Sequence, residues 1–158
     1  MNSLFIAVLS SFCGFMIGLA LTKRNKEREN YYRDAVKLCS HLINNISYKA
    51  DKISSVISGA EVDSAALKKN IAEYETYLGG GEFSLSDNCL TKKEGADVKA
   101  FFMELGRYDG DTQLSELRRR EGEFKQKFND IKAKNDKQGN MYIKLGLLVG
   151  LLIGILLI

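Results

Sequence analysis

The chain has 158 residues, of which 23 are basic and 20 are acidic, and its formal net charge is only +3. Acidic and basic residues are interspersed, so the sequence lacks the concentrated positive charge that is typical of nucleic-acid-binding proteins. Its three cysteines form no CxxC pair, and such an odd, scattered set favours a reducing compartment.

Both ends of the chain are apolar. The first charged residue is Lys23 and the last is Lys144, so residues 4–21 and 145–158 contain no Asp, Glu, Lys or Arg. A helix that crosses a membrane needs about 20 apolar residues. The first run has this length, whereas the second spans a thin bilayer only if the helix begins a few residues earlier and the Lys144 side chain extends to the surface. We therefore predict a transmembrane helix at each end.

Basic residues border the charged middle segment at both apolar runs. A cleaved signal peptide would carry them before its apolar stretch, whereas here they follow it, so we expect an uncleaved anchor. The same bias places the middle in the cytoplasm and both termini outside. The predicted domains are a transmembrane anchor over residues 1–22, a cytoplasmic helical bundle over 23–140 and a C-terminal transmembrane segment over 141–158.

Glycines recur at four-residue intervals in both apolar runs. The first run contains Gly14 and Gly18, and the second contains Gly146, Gly150 and Gly154. Glycines at this spacing lie on one face of a helix and let another helix approach closely in lipid. Chance is the competing explanation, because glycine is common in membrane helices. The packing partner could be the other apolar run, a second copy or another protein.

A long amphipathic helix is predicted in the first part of the middle segment, ending near Gly59. Its apolar positions follow alternating steps of three and four residues, which place them on one seam. These positions are Val36, Cys39, Ile43, Ile46, Ala50, Ile53, Ile57 and Ala60. No helix-breaking residue separates this helix from the first apolar run, so the sequence permits one continuous helix.

A second helix is predicted to begin at Asp63 or Ser64 and to stop at Gly79. Its apolar positions are Leu67, Ile71, Tyr74 and Leu78. The glycine run and the polar residues of segment 79–88 predict a flexible loop.

A third helix is predicted to open at Thr91 and Glu94, which have capping-box spacing, and to close at Gly106. Its apolar face consists of Val98, Phe101, Phe102 and Leu105.

A fourth helix follows, with one polar interruption at Glu121 and a kink or hinge expected at Gly139 and Asn140. Its apolar positions are Leu114, Leu117, Phe124, Phe128 and Ile131. Because each of the four amphipathic helices must cover its apolar stripe, we predict an all-α antiparallel helical bundle flanked by the two transmembrane helices.

The sequence offers no arrangement of catalytic or metal-binding residues. His41 is the only histidine, and no Cys or carboxylate accompanies it at ligand spacing. The glycine run 79–81 lacks the Lys-Ser/Thr of a phosphate-binding loop, and a catalytic triad cannot be built around a single solvated imidazole. We therefore predict a protein that is not an enzyme and has no cofactor or metal.

One polar feature has two readings. Arg118, Arg119 and Arg120 are consecutive, so they spread positive charge over a broad face of the fourth helix. They form either a solvated face that pairs with Glu116 and Glu123, or a docking surface for an acidic protein or for lipid headgroups.

Two segments carry a resemblance to a known family. Leu105, Gly106, Asp109 and Gln113 form an LG-x-x-D-x-x-x-Q pattern that opens a charged helix, and residues 144–150 read KLGLLVG before an aliphatic tail. Together with the N-terminal apolar run and an Ile-Ser-Tyr sequence on the first helix, they resemble the stage III sporulation protein AB family of endospore-forming bacteria. The family often has a glycine and a proline shortly after this tyrosine, whereas here the helical pattern continues, so we expect a later break.

The resemblance implies a component of the secretion-like channel complex between mother cell and forespore, located in the bacterial cell membrane on the mother-cell side of the forespore membrane. The family's soluble domain is similar to the cytoplasmic domains of the type II secretion platform protein F. By that analogy the domain would recruit the complex's ATPase, stage III sporulation protein AA, alongside other membrane components. The alternative is a structural protein that forms homo-oligomers through its glycine-bearing helices.

The family motif also has two readings. In the first it is a turn between helices, in which Gly106 ends one helix and Asp109 or Asp111 caps the next. In the second, Leu105, Gly106, Asp109 and Gln113 contact a partner directly.

Overall fold

The computed structural model describes residues 2–49, 53–85 and 89–156, and within these ranges it contains helices and no strand. The all-α class predicted from the sequence is therefore confirmed for the described residues. The helices in chain order are α1 (Asn2–Lys49), α2 (Ile53–Ser58), α3 (Ala65–Leu78), α4 (Lys92–Glu104) and α5 (Gly110–Leu156).

The chain divides into two compact units. One comprises Glu27–Asn129, and the other comprises Met1–Lys26 together with Asp130–Ile158. Both α1 and α5 contribute to each unit, because α1 is a single helix from Asn2 and α5 a single helix to Leu156. The predicted continuity of the first amphipathic helix with the first apolar run is thus confirmed.

The unit Glu27–Asn129 is a helical bundle with an aromatic centre. The Tyr74 ring of α3 lies 5.2 Å from that of Phe102 on α4, and Phe101 lies 5.3 Å from Phe124 on α5. Tyr32 of α1 completes the series at 6.0 Å from Phe124. Contacts between aromatic rings at such distances add to the gain from burying their apolar area. One connected aromatic cluster therefore joins α1, α3, α4 and α5.

The buried face of α1 differs from the predicted seam by one residue. Among the described positions of that seam, Cys39 and Ile57 are buried, whereas Val36, Ile43, Ile46 and Ala60 are only partly buried. The core positions of α1 are Tyr31, Tyr32, Ala35, Leu38, Cys39 and Leu42. The prediction failed because the positions one residue earlier, such as Ala35, Leu38 and Leu42, follow the same steps of three and four residues. Periodicity alone therefore does not choose between the two faces. Ala50 and the Ile53 side chain lie outside the described residues.

The predicted single helix to Gly59 is wrong. α1 ends at Lys49 and α2 begins at Ile53, and a Cβ on Gly59 would lie 4.0 Å from His41 Nε2. In one straight helix, the residues between them would span about 27 Å. The chain therefore reverses direction after α1, and the break falls earlier than the helical pattern predicts.

Asp34 on α1 holds the connection between α2 and α3. Its buried carboxylate accepts hydrogen bonds from the backbone N–H of Asp63 at 2.8 Å and of Ser64 at 2.6 Å. Arg33 donates to the same carboxylate at 3.1 Å, and Lys37 Nζ lies 3.4 Å from it. A buried carboxylate is stable only with such partners. This interaction therefore fixes where α3 begins relative to α1.

Both predicted ends of α3 and the predicted start of α4 are confirmed, whereas α4 ends at Glu104 with Leu105 as its C-cap, one residue before the predicted Gly106. Ser64 caps α3 and accepts a hydrogen bond from the Leu67 N–H, and Gly79 closes the helix. Thr91 and Glu94 form both hydrogen bonds of a capping box at the start of α4. The prediction that Leu78 belongs to the apolar face of α3 is wrong, because its side chain is 46% exposed.

α5 continues as a helix through Gly139 and Asn140, so the predicted hinge is not a break in the helix. Leu117, Phe124 and Ile131 are buried as predicted, whereas Leu114 and Phe128 are partly buried. The predicted polar interruption, Glu121, accepts a hydrogen bond from the hydroxyl of Ser40 on α1.

Over the residues that the structure describes, no helix combines the length and the apolar character needed to cross a membrane. The two transmembrane segments and the domain boundaries at residues 22 and 140 remain predictions. Cys13, Cys39 and Cys89 form no disulfide in the described part of the chain, with Cys13 exposed and the other two buried.

The Asp34 contact predicts an acid-sensitive fold. Burial by itself raises the pKa of the Asp34 carboxyl, but hydrogen bonds from Ser64, Arg33 and Asp63 outweigh it and hold the pKa below its usual value. A depressed pKa in the folded state stabilises the protein above about pH 4, and this stabilisation is lost as the pH falls through the folded-state pKa.

We expect Asp34→Asn to lower the free energy of unfolding at pH 7 by about 1–2 kcal/mol and to weaken its decline below about pH 4. Chemical denaturation of the full-length protein at a series of pH values, followed by circular dichroism, measures both effects. Asp111→Asn, at an exposed position in the first turn of α5, is the control. Equal pH profiles for Asp34→Asn and the wild type would contradict the assignment.

Candidate functional site

The four residues of the sequence motif come together at the turn between α4 and α5. Leu105 is buried and ends α4, and its carbonyl accepts a hydrogen bond from the Tyr74 hydroxyl at 3.4 Å. Gly106 follows with a φ of +78°, a left-handed conformation that favours glycine. Its N–H donates to Oε1 of the buried Gln113 at 3.0 Å. The glutamine side chain therefore ties the start of the turn to the first turns of α5.

Asp109 caps α5, and Asp111 does not. Hydrogen bonds from the hydroxyl and the backbone N–H of Thr112 hold the pKa of the Asp109 carboxyl below its usual value. The Asp109 carbonyl accepts from the Gln113 N–H at 2.8 Å. Each motif residue thus has an internal role in the turn, as the first reading of the motif expects. A direct contact of these residues with a partner remains a prediction.

The three consecutive arginines do not form one free surface. Arg119 pairs with Glu116 and Glu123 along α5. Arg120 is largely buried, with 13% of its side chain exposed, and its Nη2 lies 2.7 Å from a carboxylate oxygen of Glu104 on α4. Salt bridges of this kind restrict both side chains to one arrangement.

Only Arg118 of the three is available for docking. It is exposed and, among the described residues, makes no ion pair or hydrogen bond. A docking role for the arginines therefore centres on this residue, while Arg119 pairs within α5 and Arg120 joins α5 to α4.

The N-terminus of α4 is attached to α1 by a partly buried ion pair. Arg28 Nε donates to Glu94 Oε1 at 3.1 Å, while the other oxygen of Glu94 accepts from the Thr91 N–H at 2.9 Å. Burial raises the pKa of the Glu94 carboxyl, but Arg28 and Thr91 together bring it below its usual value. Glu94 therefore stays ionised at neutral pH and serves the helix cap and the ion pair at once.

Of the five glycines predicted to mediate packing, Gly146 is the one whose surroundings are described in detail. A Cβ built on Gly146 would overlap the backbone oxygen of Gly14 and would lie 3.6 Å from the Cα of Gly18. Within the unit formed by the two chain ends, α1 and α5 therefore approach closely at these three glycines. Gly150 and Gly154 lie in α5, and their surroundings fall outside the described residues.

Sequence reasoning missed the interactions that join distant segments. Arg28 and Glu94 are 66 positions apart, and Ser40 and Glu121 are 81 apart. Charge and spacing along the chain cannot pair such residues, because the pairing depends on how the helices pack. The one exception is the capping box, from which the sequence alone predicts that the Glu94 side chain is held at the start of α4.

No cluster of three or more His, Cys, Asp or Glu residues in the described ranges is placed to hold a metal ion. His41 is partly buried and lines a surface pocket of about 360 Å³ with Lys37 and Glu61. This pocket brings together no nucleophile and base.

The turn predicts opposite effects for two glycine-to-alanine substitutions. Gly106→Ala places a side chain at a φ of +78°, which costs about 1–2 kcal/mol. Gly122→Ala adds a methyl group in open space inside α5 and gains about 0.5–1 kcal/mol from helix propensity. Thermal denaturation of the two full-length variants measures the difference. Equal shifts in melting temperature would contradict the left-handed conformation of Gly106.

Comparison with known proteins gives one family. The family model described as stage III sporulation protein AB matches residues 3–158 of the chain. The searches of curated proteins and of solved structures found no match.

Proposed function

The chain belongs to the stage III sporulation protein AB family, and on this premise we propose that it is a non-enzymatic, membrane-anchored component of a sporulation-specific secretion or channel complex between mother cell and forespore. In this role, its central domain docks the cytoplasmic ATPase of the complex at the membrane. Family membership across nearly the whole chain supports the role in sporulation.

The observation that carries the anchoring part of the proposal is the exposed apolar surface of the unit formed by the chain ends. Half or more of the side-chain surface is exposed at Phe12, Ile17, Leu148, Leu152 and Ile155. Exposed apolar area of this extent is unfavourable in water and favourable in lipid. The charge bias at its borders then favours a cytoplasmic central domain, with both termini on the outside of the membrane.

The docking part of the proposal is supported by the family resemblance and by the distribution of polar groups in the bundle. Two of its buried carboxylates, Asp34 and Glu94, are engaged by internal cations and N–H groups. These two side chains therefore stabilise the bundle and are not free to act as a general acid or base. The proposed partner is stage III sporulation protein AA. This rests on an analogy with the type II secretion platform protein F, whose cytoplasmic domains the family's soluble domain resembles.

The alternative function is a structural protein that self-associates through its glycine-bearing helices. The close approach of Gly146 to Gly14 and Gly18 weighs against it at that position, because backbone already covered within one chain cannot contact a second copy. Gly150 and Gly154 remain available to this alternative.

Binding of the purified ATPase to the full-length protein in detergent tests the proposal. We expect binding that weakens several-fold in Arg118→Glu and becomes less dependent on salt, because an exposed charge acts mainly through long-range attraction. Lys68→Glu, an exposed lysine of α3, is the matched control. Full binding by Arg118→Glu would remove this residue from the docking surface, and no binding by the wild type would reject the docking role.

Gly150→Leu separates the two functions. If the glycines drive self-association, this substitution abolishes oligomers in detergent, as measured by light scattering coupled to size-exclusion chromatography. If the chain is a docking component, Gly150→Leu leaves ATPase binding intact. Gly122→Leu, at an open position of α5 outside the apolar run, controls for the effect of a bulky residue on the helix.

A further inference from the structure

The charges of α4 are separated between its two sides. Its three carboxylates all pair with cations on α1 or α5, namely Glu94 with Arg28 at 3.1 Å, Asp97 with Lys127 at 2.9 Å and Glu104 with Arg120 at 2.7 Å. The three lysines of α4, Lys92, Lys93 and Lys99, are exposed, and within the described part of the chain none makes a hydrogen bond or an ion pair. A helix of zero net charge thus has an outward side that is purely basic.

A groove runs along this basic side. It has a volume of about 480 Å³ and lies between α4 and the segment that follows α3. Lys92 and Lys99 border it, and its apolar lining includes Phe83, Leu85 and Ala96. Lys92 and Lys99 are seven residues apart on one helix, so their Cα atoms are about 10 Å apart.

The walls of the groove are fixed by the core. Phe83 is buried, and its ring lies 5.9 Å from that of Tyr74 and 5.8 Å from that of Phe102. On the other side, a Cβ on Gly95 would lie 3.5 Å from Leu85 Cδ2, which is ordinary contact. A binding groove formed before its partner arrives loses less entropy on association.

We propose that this groove binds an acidic segment of a partner protein, with carboxylates near Lys92 and Lys99 and an apolar side chain between them over Ala96. Positive charge at both ends and apolar lining between them are complementary to such a segment. A lipid surface presents headgroups on a broad plane and does not fill a groove with apolar walls. The inference goes beyond the proposed function, because it holds for any protein partner of this chemistry.

Photo-crosslinking in sporulating cells tests the proposal with the full-length protein. The photo-reactive amino acid p-benzoylphenylalanine replaces Ala96, and a matched probe replaces Ala72, an exposed alanine of α3. We expect an adduct to one protein from the Ala96 position only. Mass spectrometry of the adduct should identify a crosslinked peptide that contains at least two acidic residues and an apolar one.

Charge reversal then tests the role of the lysines. Lys92→Glu/Lys99→Glu should reduce the adduct about tenfold, whereas Lys68→Glu/Lys69→Glu, with the same change in charge on α3, should leave it unchanged. Neither pair of substitutions breaks an ion pair of the bundle among the described residues. Circular dichroism of the purified variants verifies that both are folded.

Several outcomes would overturn the groove proposal: no protein adduct, an adduct to phospholipid, a crosslinked peptide without acidic residues, or an adduct that survives the reversal of both lysines. An adduct to the ATPase would support both the groove and the proposed function. A lysine-dependent adduct to a different protein would support the groove and count against ATPase docking at this surface.

Discussion

The arrangement of the bundle depends on the two interactions made by the carboxylate of Glu94. One of its oxygens closes the capping box of α4 and the other pairs with Arg28 of α1. A single side chain therefore makes both a local helix cap and a contact between two helices. This pairing fixes the rotation of α4 about its axis. The same rotation turns Phe102 into the core and leaves Lys92 and Lys99 outside. A partly buried ion pair that also satisfies a cap specifies one orientation of a helix where apolar packing alone would tolerate several.

The turn between α4 and α5 secures the other end of α4. Leu105 and Gln113 are buried on either side of it, and Gly106 supplies the left-handed residue that lets them meet. The neighbouring salt bridge between Glu104 and Arg120 joins the same two helices. The family motif and Arg120 thus contribute to one structural unit, in which the charges of Glu104 and Arg120 are paired with each other.

Both ends of α3 and the start of α4 could be predicted from the sequence, whereas the path of the chain between α1 and α3 could not. A helix cap depends on residues within three or four positions, so Ser64, Thr91 and Glu94 are recognisable locally. The reversal after α1 depends on the contact of Asp34 with backbone groups 29 and 30 residues away. For the same reason the motif at the α4–α5 turn was identified from the sequence, but the groove beside α4 was not. The lysines of α4 can be recognised as a basic surface only when the structure shows that the carboxylates of α4 pair with α1 and α5.

The distribution of the three thiols has a practical consequence for labelling. Burial raises the pKa of the Cys39 thiol, and the nearby Glu121 carboxylate adds to the effect, so this group resists alkylation while the bundle is folded. Cys89 is also buried, and Cys13 in the first apolar run is exposed. The native sequence therefore carries one accessible attachment point for a spin label or fluorophore, at a position that reports on the surroundings of that run without any engineered cysteine.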